Sequence, residues 1–242
     1  MLKGSEKITL FLGNYGSGKT EVAVNYALFA ARKREANAIT LVDLDLVNPY
    51  FRSREARQLM EAAGIRVVAP DEAHHHADLP ILVPEVRSAL LASTGEVILD
   101  VGGDDVGARV LGTLHDGFVP GSYRALMVLN GNRPFTGDVD GIRRIRADIE
   151  MAGRITVTGL VSNTHLMEET TAQTIVRGVE LARRAAHELE IPLHFVTAPE
   201  ELVQEVSGTI VEPVLPLARY LATSWQQVTR PQDNLGKELF RL

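Results

Sequence analysis

Short apolar runs alternate with amphipathic segments along most of this chain. Apolar runs bounded by Gly, Pro, Asn or Asp are typical of buried strands. The predicted strands are residues 8–12, 38–43, 65–69, 96–101, 123–129, 155–162 and 191–196. Between them, apolar residues recur three or four positions apart, which is the period of a helix. The predicted helices are residues 21–31, 52–63, 84–92, 104–115, 136–153 and 168–189. Thr136 is the predicted N-cap of the fifth helix.

Strands that alternate with helices predict an α/β fold. We expect a mostly parallel central sheet of about seven strands, flanked by helices on both faces. The length of 242 residues and the apolar fraction of 45% fit one large domain with a substantial core. No repeat or linker divides residues 1–242, so a single domain is predicted. Residues 231–242 form either a frayed tail or a small docking helix, and the sequence leaves both interpretations open.

Composition excludes several classes of function. The formal net charge is −6 and no cluster of Lys or Arg dominates, so no nucleic-acid partner is expected. Cysteine is absent, which excludes disulfides and thiolate metal sites within the chain. No apolar stretch reaches the length of a membrane span, and no signal-peptide core precedes the first strand. We therefore expect a cytoplasmic protein.

The stretch Gly13-Asn14-Tyr15-Gly16-Ser17-Gly18-Lys19-Thr20 matches the phosphate-binding pattern G-x-x-x-x-G-K-[ST] at every fixed position. It lies between a predicted strand and a predicted helix, as that motif requires. Its glycines let the backbone wrap around phosphate, and the loop amides face anionic oxygens together with the first helical residues, including Glu21. Lys19 adds positive charge near the β- and γ-phosphates, and Thr20 offers a hydroxyl to Mg²⁺. The loop therefore predicts nucleotide binding.

Acidic side chains follow two other predicted strands. Asp43 and Asp45 are two residues apart, so on extended backbone they point the same way and can hold Mg²⁺ through water or position an attacking water. A solvated strand end is the alternative. Asp100 ends an apolar run and is followed by Gly103, an arrangement that resembles a Walker B segment, in which the acid orients the Mg²⁺ shell.

Two further strand ends are candidates for contact with the base. Asn163 follows a predicted strand, and its amide can pair with a base edge or simply form a turn. Guanine-specific sites usually carry Asn-Lys-x-Asp, and Leu166 stands where that Asp would be, which favours ATP over GTP. The loop after the last predicted strand, which contains Pro199, is a weaker candidate to flank the base.

Two basic features have simpler interpretations. His74, His75 and His76 lie among acids in a predicted loop, but adjacent residues do not easily share one tetrahedral ion, so an exposed loop is preferred to a metal site. Arg133 lies in a turn-rich strand end, from which it could reach phosphate or a partner. A plain loop is the preferred interpretation there as well.

Taken together, these motifs resemble the MinD/ParA-type P-loop ATPases, the branch that also holds CobQ-type amidoligases and metal-centre maturation proteins. The resemblance covers roughly residues 7–200. It implies that Lys19 and Thr20 bind phosphates and Mg²⁺ and that Asp45, supported by Asp43, activates water. It also implies that Asp100 holds the Mg²⁺ shell and that Asn163 reads adenine.

One position departs from that family. Asn14 stands where typical members carry a signature lysine, which reaches across a dimer to the phosphates of the partner subunit. Members of the family commonly form dimers around ATP and act as switches on a partner. A homodimer is therefore an alternative for this chain rather than a requirement.

Three functional hypotheses follow. The leading one is an ATPase switch that converts ATP and water to ADP and phosphate and acts on a protein partner. The alternative is a small-molecule kinase or an ATP-dependent ligase or amidoligase that uses the same loop. The third is a nucleotide sensor without catalysis.

Overall fold

A sheet of parallel strands forms the centre of the fold. The computed structural model describes residues 7–33, 38–45, 54–69, 78–92, 95–103 and 105–220. Within these residues, eight strands pair in the order β3-β2-β4-β1-β5-β6-β7-β8, and every pairing is parallel. The strands are β1 (Ile8–Leu12), β2 (Ile39–Leu44), β3 (Ile65–Val68), β4 (Glu96–Val101), β5 (Tyr123–Leu129), β6 (Gly159–Ser162), β7 (Leu193–Pro199) and β8 (Val214–Leu217). The α/β prediction is confirmed.

Helices cover both faces of this sheet. They are α1 (Lys19–Ala31), α2 (Arg54–Ala62), α3 (Asp78–Ala92), α4 (Asp105–Thr113), α5 (Val139–Gly153), α6 (Ala172–Glu188) and α7 (Val203–Ser207). One face packs mainly against α1, with Met60 of α2, and the other packs against residues of α3, α4, α5 and α6. No described helix is both long and apolar enough to cross a membrane.

Alternation along the central strands assigns side chains to the two faces. In β4, Ile98 packs in the core beneath α1, whereas Leu99 packs in the core on the opposite face. Asp100 therefore belongs to the face that carries α1. In the register of the sheet, Asp43 of β2 lies directly beside Asp100. Two carboxylates are thus brought together at the edge where α1 begins.

A buried polar network ties α1 to the opposite end of the sheet. Glu96 Oε1 accepts hydrogen bonds from Thr9 Oγ1 at 2.8 Å and from Arg124 Nη2 at 3.2 Å. The same guanidinium nitrogen donates to the hydroxyl of Tyr26 at 2.6 Å. Burial, reinforced by the charge of Glu96, raises the pKa of Tyr26 to about 12. The network joins α1 to β1, β4 and β5.

The last strand is the main departure from the predicted architecture. β8 contains Pro216 and follows Pro213, and proline is a poor signal for a strand because it cannot donate to the ladder. Here β8 is an edge strand paired only with β7, so its outer side needs no donor. The prediction of about seven strands therefore missed one.

Helix and strand ends also differ from the prediction. The cap of α5 is Asp138, whose Oδ1 accepts from the backbone N–H of Gly141 at 2.7 Å, and not Thr136. The hydroxyl of Thr136 is buried and donates to the carbonyl of Asn130 at 2.7 Å. Helix α6 begins after its cap Thr171, later than predicted, because a single 3₁₀ turn precedes it.

Some predicted features lie outside the described residues. These are His74, His75 and His76 and the C-terminal residues 231–242.

Candidate nucleotide-binding site

The loop between β1 and α1 depends on glycine at several positions. Gly13, Gly16 and Gly18 have φ angles of 147°, 77° and 80°, which side-chain-bearing residues rarely adopt. Space is also restricted, since a Cβ atom on Gly18 would lie 2.3 Å from Nδ2 of Asn163. A Cβ atom on Gly13 would lie 2.7 Å from the carbonyl oxygen of Val128. These positions accept only glycine without rearrangement of their neighbours.

Side chains from neighbouring strands hold the outer side of the loop. Asn163 Nδ2 donates to the carbonyl of Ser17 at 2.7 Å. The Oδ1 atom of Asn163 in turn accepts from the hydroxyl of Thr197, in β7, at 2.5 Å. Arg133 Nε donates to the carbonyl of Gly16 at 3.0 Å. The loop is therefore attached to the ends of β5, β6 and β7.

The buried Lys19 lies beside a carboxylate at the start of α1. Its Nζ atom is 3.7 Å from Oδ2 of Asp45, and only 6% of the Lys19 surface is exposed. The backbone N–H of Asp45 donates to Oδ1 of Asp43 at 2.9 Å, which holds these two acids in a fixed relation. The pair predicted from the sequence is thus brought to the lysine of the phosphate loop.

Asp100 completes this cluster from β4. Burial raises the pKa of its carboxyl group to about 6. The charge of Lys19 and the Thr20 hydroxyl act in the opposite direction and lower this pKa, whereas the charge of Asp45 raises it further. Both carboxylate oxygens are buried, and neither makes a hydrogen bond of normal geometry with the described residues. A buried carboxylate of this kind is a group that a cation or a bound ligand would stabilise.

These residues fit a magnesium ion. Thr20, Asp43 and Asp100 supply only oxygen atoms, which are the ligands that Mg²⁺ prefers. Among the described residues, no three His, Cys, Asp or Glu side chains converge as a self-sufficient metal site.

The remaining predicted residues differ in their exposure and in their contacts. Asn14 is buried, whereas the side chain of Tyr15 is 83% exposed. Glu21 Oε1 accepts from the backbone N–H of Tyr220 at 2.6 Å, so its side chain binds the segment that follows β8. Pro199 ends β7, two residues after Thr197, and Leu166 is 44% exposed beyond β6.

Two residues hold the loop in a way that the sequence did not indicate, since a plain loop was the preferred interpretation for Arg133 and a base-flanking loop was the candidate for Thr197. Thr197 lies in β7 rather than in a loop, and its contact with Asn163 joins residues 34 positions apart. Arg133 contacts the loop across 117 positions, although its own segment is rich in turn residues. The only signal for either was a polar side chain close to the carboxyl end of a strand, where ligands bind in such sheets.

Comparison with known proteins identifies the fold. No protein-family model matches the chain, and no curated protein matches it significantly. Among solved structures, the cell division protein FtsY of Thermotoga maritima is 21% identical with a TM-score of 0.54, over 81% of this chain and 62% of that one. Chloroplast FtsY of Physcomitrella patens is 20% identical with a TM-score of 0.52, over 81% and 60%.

A third neighbour is the 54 kDa signal recognition particle protein of Aeropyrum pernix, solved in complex with GDP. It is 17% identical with a TM-score of 0.51, over 79% of this chain and 41% of that one. The chain thus spans less than two thirds of the length of these neighbours. A likeness at this level shows a P-loop NTPase fold, and it does not separate MinD/ParA-type proteins from other P-loop NTPases.

Proposed function

We propose that this chain binds Mg·ATP in the loop from Gly13 to Thr20, hydrolyses it to ADP and phosphate, and acts as a switch on a protein partner. The observation that carries the proposal is the buried cluster beneath the loop, in which Lys19 lies 3.7 Å from Asp45 and the buried Asp100 lies beside Thr20. A buried lysine among carboxylates is suited to bind phosphate and an oxygen-bound cation together.

Each side chain of the cluster has a proposed role. Lys19 exchanges its contact with Asp45 for the β- and γ-phosphates when nucleotide binds, because a phosphate is the more highly charged partner. This exchange frees Asp45 to orient the attacking water. Thr20 and Asp100, with Asp43 beside it, would hold the Mg²⁺ ion, which would neutralise charge on the phosphates.

Two features support adenine as the base. Guanine presents N–H donors that need an acceptor, and the apolar Leu166 stands where guanine sites carry a carboxylate. Guanine O6 needs a donor, and Pro199 at the end of β7 has no backbone N–H. GTP is the second candidate, since the similar FtsY and signal recognition particle structures include one solved with GDP.

Asn163 takes a positioning role in this proposal. Its amide nitrogen is bonded to Ser17 and its amide oxygen to Thr197, so the side chain ties the loop to β6 and β7. Adenine would then lie beside Asn163 and the end of β7, at Pro199. The Asn163 amide would make no hydrogen bond with the base.

The switch follows from where the acids lie. Asp43 lies near the end of β2, Asp45 follows that strand, and Asp100 lies near the end of β4. The chain continues from them into residues 46–55 and 102–112, of which 46–53 and 104 lie outside the described residues. Segments held by contacts with the γ-phosphate and its cation can be released on hydrolysis, which is a common switching device. We propose these two segments as the surface that a protein partner detects.

Calorimetric titration with Mg·ATP tests nucleotide binding. Lys19→Ala should weaken ATP binding by at least about tenfold, because it removes a charged hydrogen bond worth about 1.5–3 kcal/mol. The exposed Lys7, at the start of β1, gives the matched control Lys7→Ala, which should bind like the wild type. Equal affinities of Lys19→Ala and wild type for ATP would contradict the proposal. If the wild type binds GTP more tightly than ATP, guanine replaces adenine as the proposed base.

Hydrolysis is tested separately with Asp45→Asn. This variant should retain ATP binding, or improve it because Lys19 is freed, while phosphate release falls to background. Full turnover by Asp45→Asn would show that Asp45 does not orient the attacking water. Phosphate release by the wild type without any small-molecule acceptor distinguishes an ATPase from a kinase or ligase.

A further inference from the structure

The contact between Arg133 and the phosphate loop has no role in the function proposed above. Arg133 follows β5 by four residues and is exposed, yet its Nε atom donates to the carbonyl of Gly16 at 3.0 Å. No other hydrogen bond of this side chain is made with the described residues. A long surface side chain is therefore held at one carbonyl of the loop.

The absence of a side chain on Gly16 makes this contact possible. A Cβ atom there would lie 2.9 Å from Nε and 3.1 Å from Cζ of Arg133, so the guanidinium occupies the space that any other residue would fill. Gly16 also has a φ angle of 77°. The glycine therefore serves two purposes, since it allows the turn and admits the arginine.

The peptide group whose carbonyl accepts from Arg133 also makes a hydrogen bond within the loop. In a trans peptide the C=O and the following N–H point in opposite directions. The N–H that follows the Gly16 carbonyl is that of Ser17, and it donates to the carbonyl of Asn14 at 3.2 Å. The plane is thus bonded on one side to Arg133 and on the other to the first part of the loop.

The next peptide plane is held in a similar way. The carbonyl of Ser17 accepts from Asn163, which turns the N–H of Gly18 toward the opposite side of the loop. Arg133 and Asn163 therefore bind two successive carbonyls of the loop. The N–H of Ser17 is bonded to the carbonyl of Asn14, so the N–H of Gly18 is the one of these two that can contribute to a concave anion-binding surface.

We propose that Arg133 is a positioning residue that fixes the curvature of the phosphate loop through the Gly16 carbonyl. It acts on the loop amides and does not contact the nucleotide. Its effect on affinity should consequently be the same for every ligand that fills the loop with a β-phosphate or its equivalent. This part of the inference rests on the proposed nucleotide binding, whereas the loop geometry can be tested without a ligand.

The ligand-free test uses backbone amide NMR signals of the loop. Arg133→Met, which has no donor, should shift the signals of Ser17 and Gly18, whereas Arg133→Lys should leave them close to those of the wild type, because an ammonium group can still donate to the carbonyl. Arg184→Met is the matched control, since Arg184 is an exposed arginine in the part of α6 remote from the loop. Unchanged Ser17 and Gly18 signals in Arg133→Met would overturn the inference.

The binding test compares ATP, ADP and inorganic pyrophosphate. Arg133→Met should weaken all three by a similar factor of about five to ten, as expected for loss of one exposed hydrogen bond from a charged donor. Arg133→Lys should recover most of that affinity. A loss confined to ATP would show contact with the γ-phosphate, and a loss that spares pyrophosphate would show contact with the nucleoside. Either result would overturn the positioning role.

The two tests separate the inference from the proposed function. If the wild type binds none of the three ligands, the proposed function fails, while the NMR comparison still decides the role of Arg133. If the wild type binds them and Arg133→Met binds equally well, the inference alone fails.

Discussion

The buried carboxyl group of Asp100 should lower the free energy of unfolding at neutral pH. Its pKa is about 6 in the folded chain, compared with 3.8 for an ordinary aspartate, and the main cause is burial. Between these two pH values the folded chain holds a proton that the unfolded chain has released. The free energy of unfolding must therefore fall as the pH rises from about 4 to about 6.

The size of this effect follows from the two pKa values. Their difference, at 1.36 kcal/mol per pH unit, amounts to about 3 kcal/mol. Above pH 6 the full penalty applies, because the carboxylate is then charged in both states. Asp100→Asn is neutral at every pH and similar in shape, so it should be more stable than the wild type by up to about 3 kcal/mol at pH 7.

The assay is urea unfolding of both proteins between pH 4 and pH 7.5, with a chelator and without nucleotide. Other carboxyl groups contribute the opposite slope; Glu212, whose pKa is lowered by its hydrogen bonds with Arg183, stabilises the fold as the pH rises. The difference in unfolding free energy between wild type and Asp100→Asn removes these common contributions. Asp148→Asn, a change at an exposed aspartate of α5, is the matched control and should show no such difference.

One outcome would refute this reasoning. If the free-energy difference between wild type and Asp100→Asn stays constant from pH 4 to pH 7, burial does not raise the pKa of Asp100. If the reasoning holds, the stabilised variant should also lose Mg²⁺-dependent ATP binding. A gain in stability with a loss of function is the expected pattern for a residue kept for its chemistry.

Two further changes test the packing around the loop. Gly18→Ala should lower the free energy of unfolding, measured with urea, by more than Gly121→Ala does. Both glycines have φ near 80°, but a carbon added at Gly18 would lie close to an atom of Asn163, whereas one added at Gly121 would meet nothing within 4 Å. Equal losses in the two variants would contradict the steric argument. Asn25→Ala should destabilise by about 1–3 kcal/mol, because the Asn25 amide makes two hydrogen bonds of 2.9 Å with the backbone of Ala218, and a loss below 0.5 kcal/mol would contradict it.

The sequence was sufficient for the features that depend on local pattern. The apolar runs of β1, β2, β4 and β5 are buried along most of their length, and a continuous apolar run between turn residues is a strong strand signal. The phosphate loop was equally clear because its residues are contiguous. The acids at the ends of β2 and β4 could be grouped with it, since parallel strands end at one edge of the sheet.

Features that depend on distant residues could not be predicted in this way. Nothing near Arg133 in the sequence indicates that its guanidinium occupies the space beside Gly16. Thr136 and Asp138 are both suitable caps by residue type. The Thr136 hydroxyl is bonded to the carbonyl of Asn130, just after β5, so Asp138 caps the helix, and this contact is not visible in the local pattern. β8 is stable as a strand because β7 provides its partner, and its own prolines argue against it.

The network around Glu96 has a mechanical consequence for signalling. Glu96 begins β4 and Asp100 lies on the same strand, so the strand that carries the proposed cation-binding acid is bonded to α1 at its other end. A helix and a strand joined through a buried charge do not slide past one another without breaking that contact. The proposed switch would therefore operate without sliding of α1 along β4, and the contacts of Glu96 with Tyr26 and Arg124 are expected to be the same with and without nucleotide.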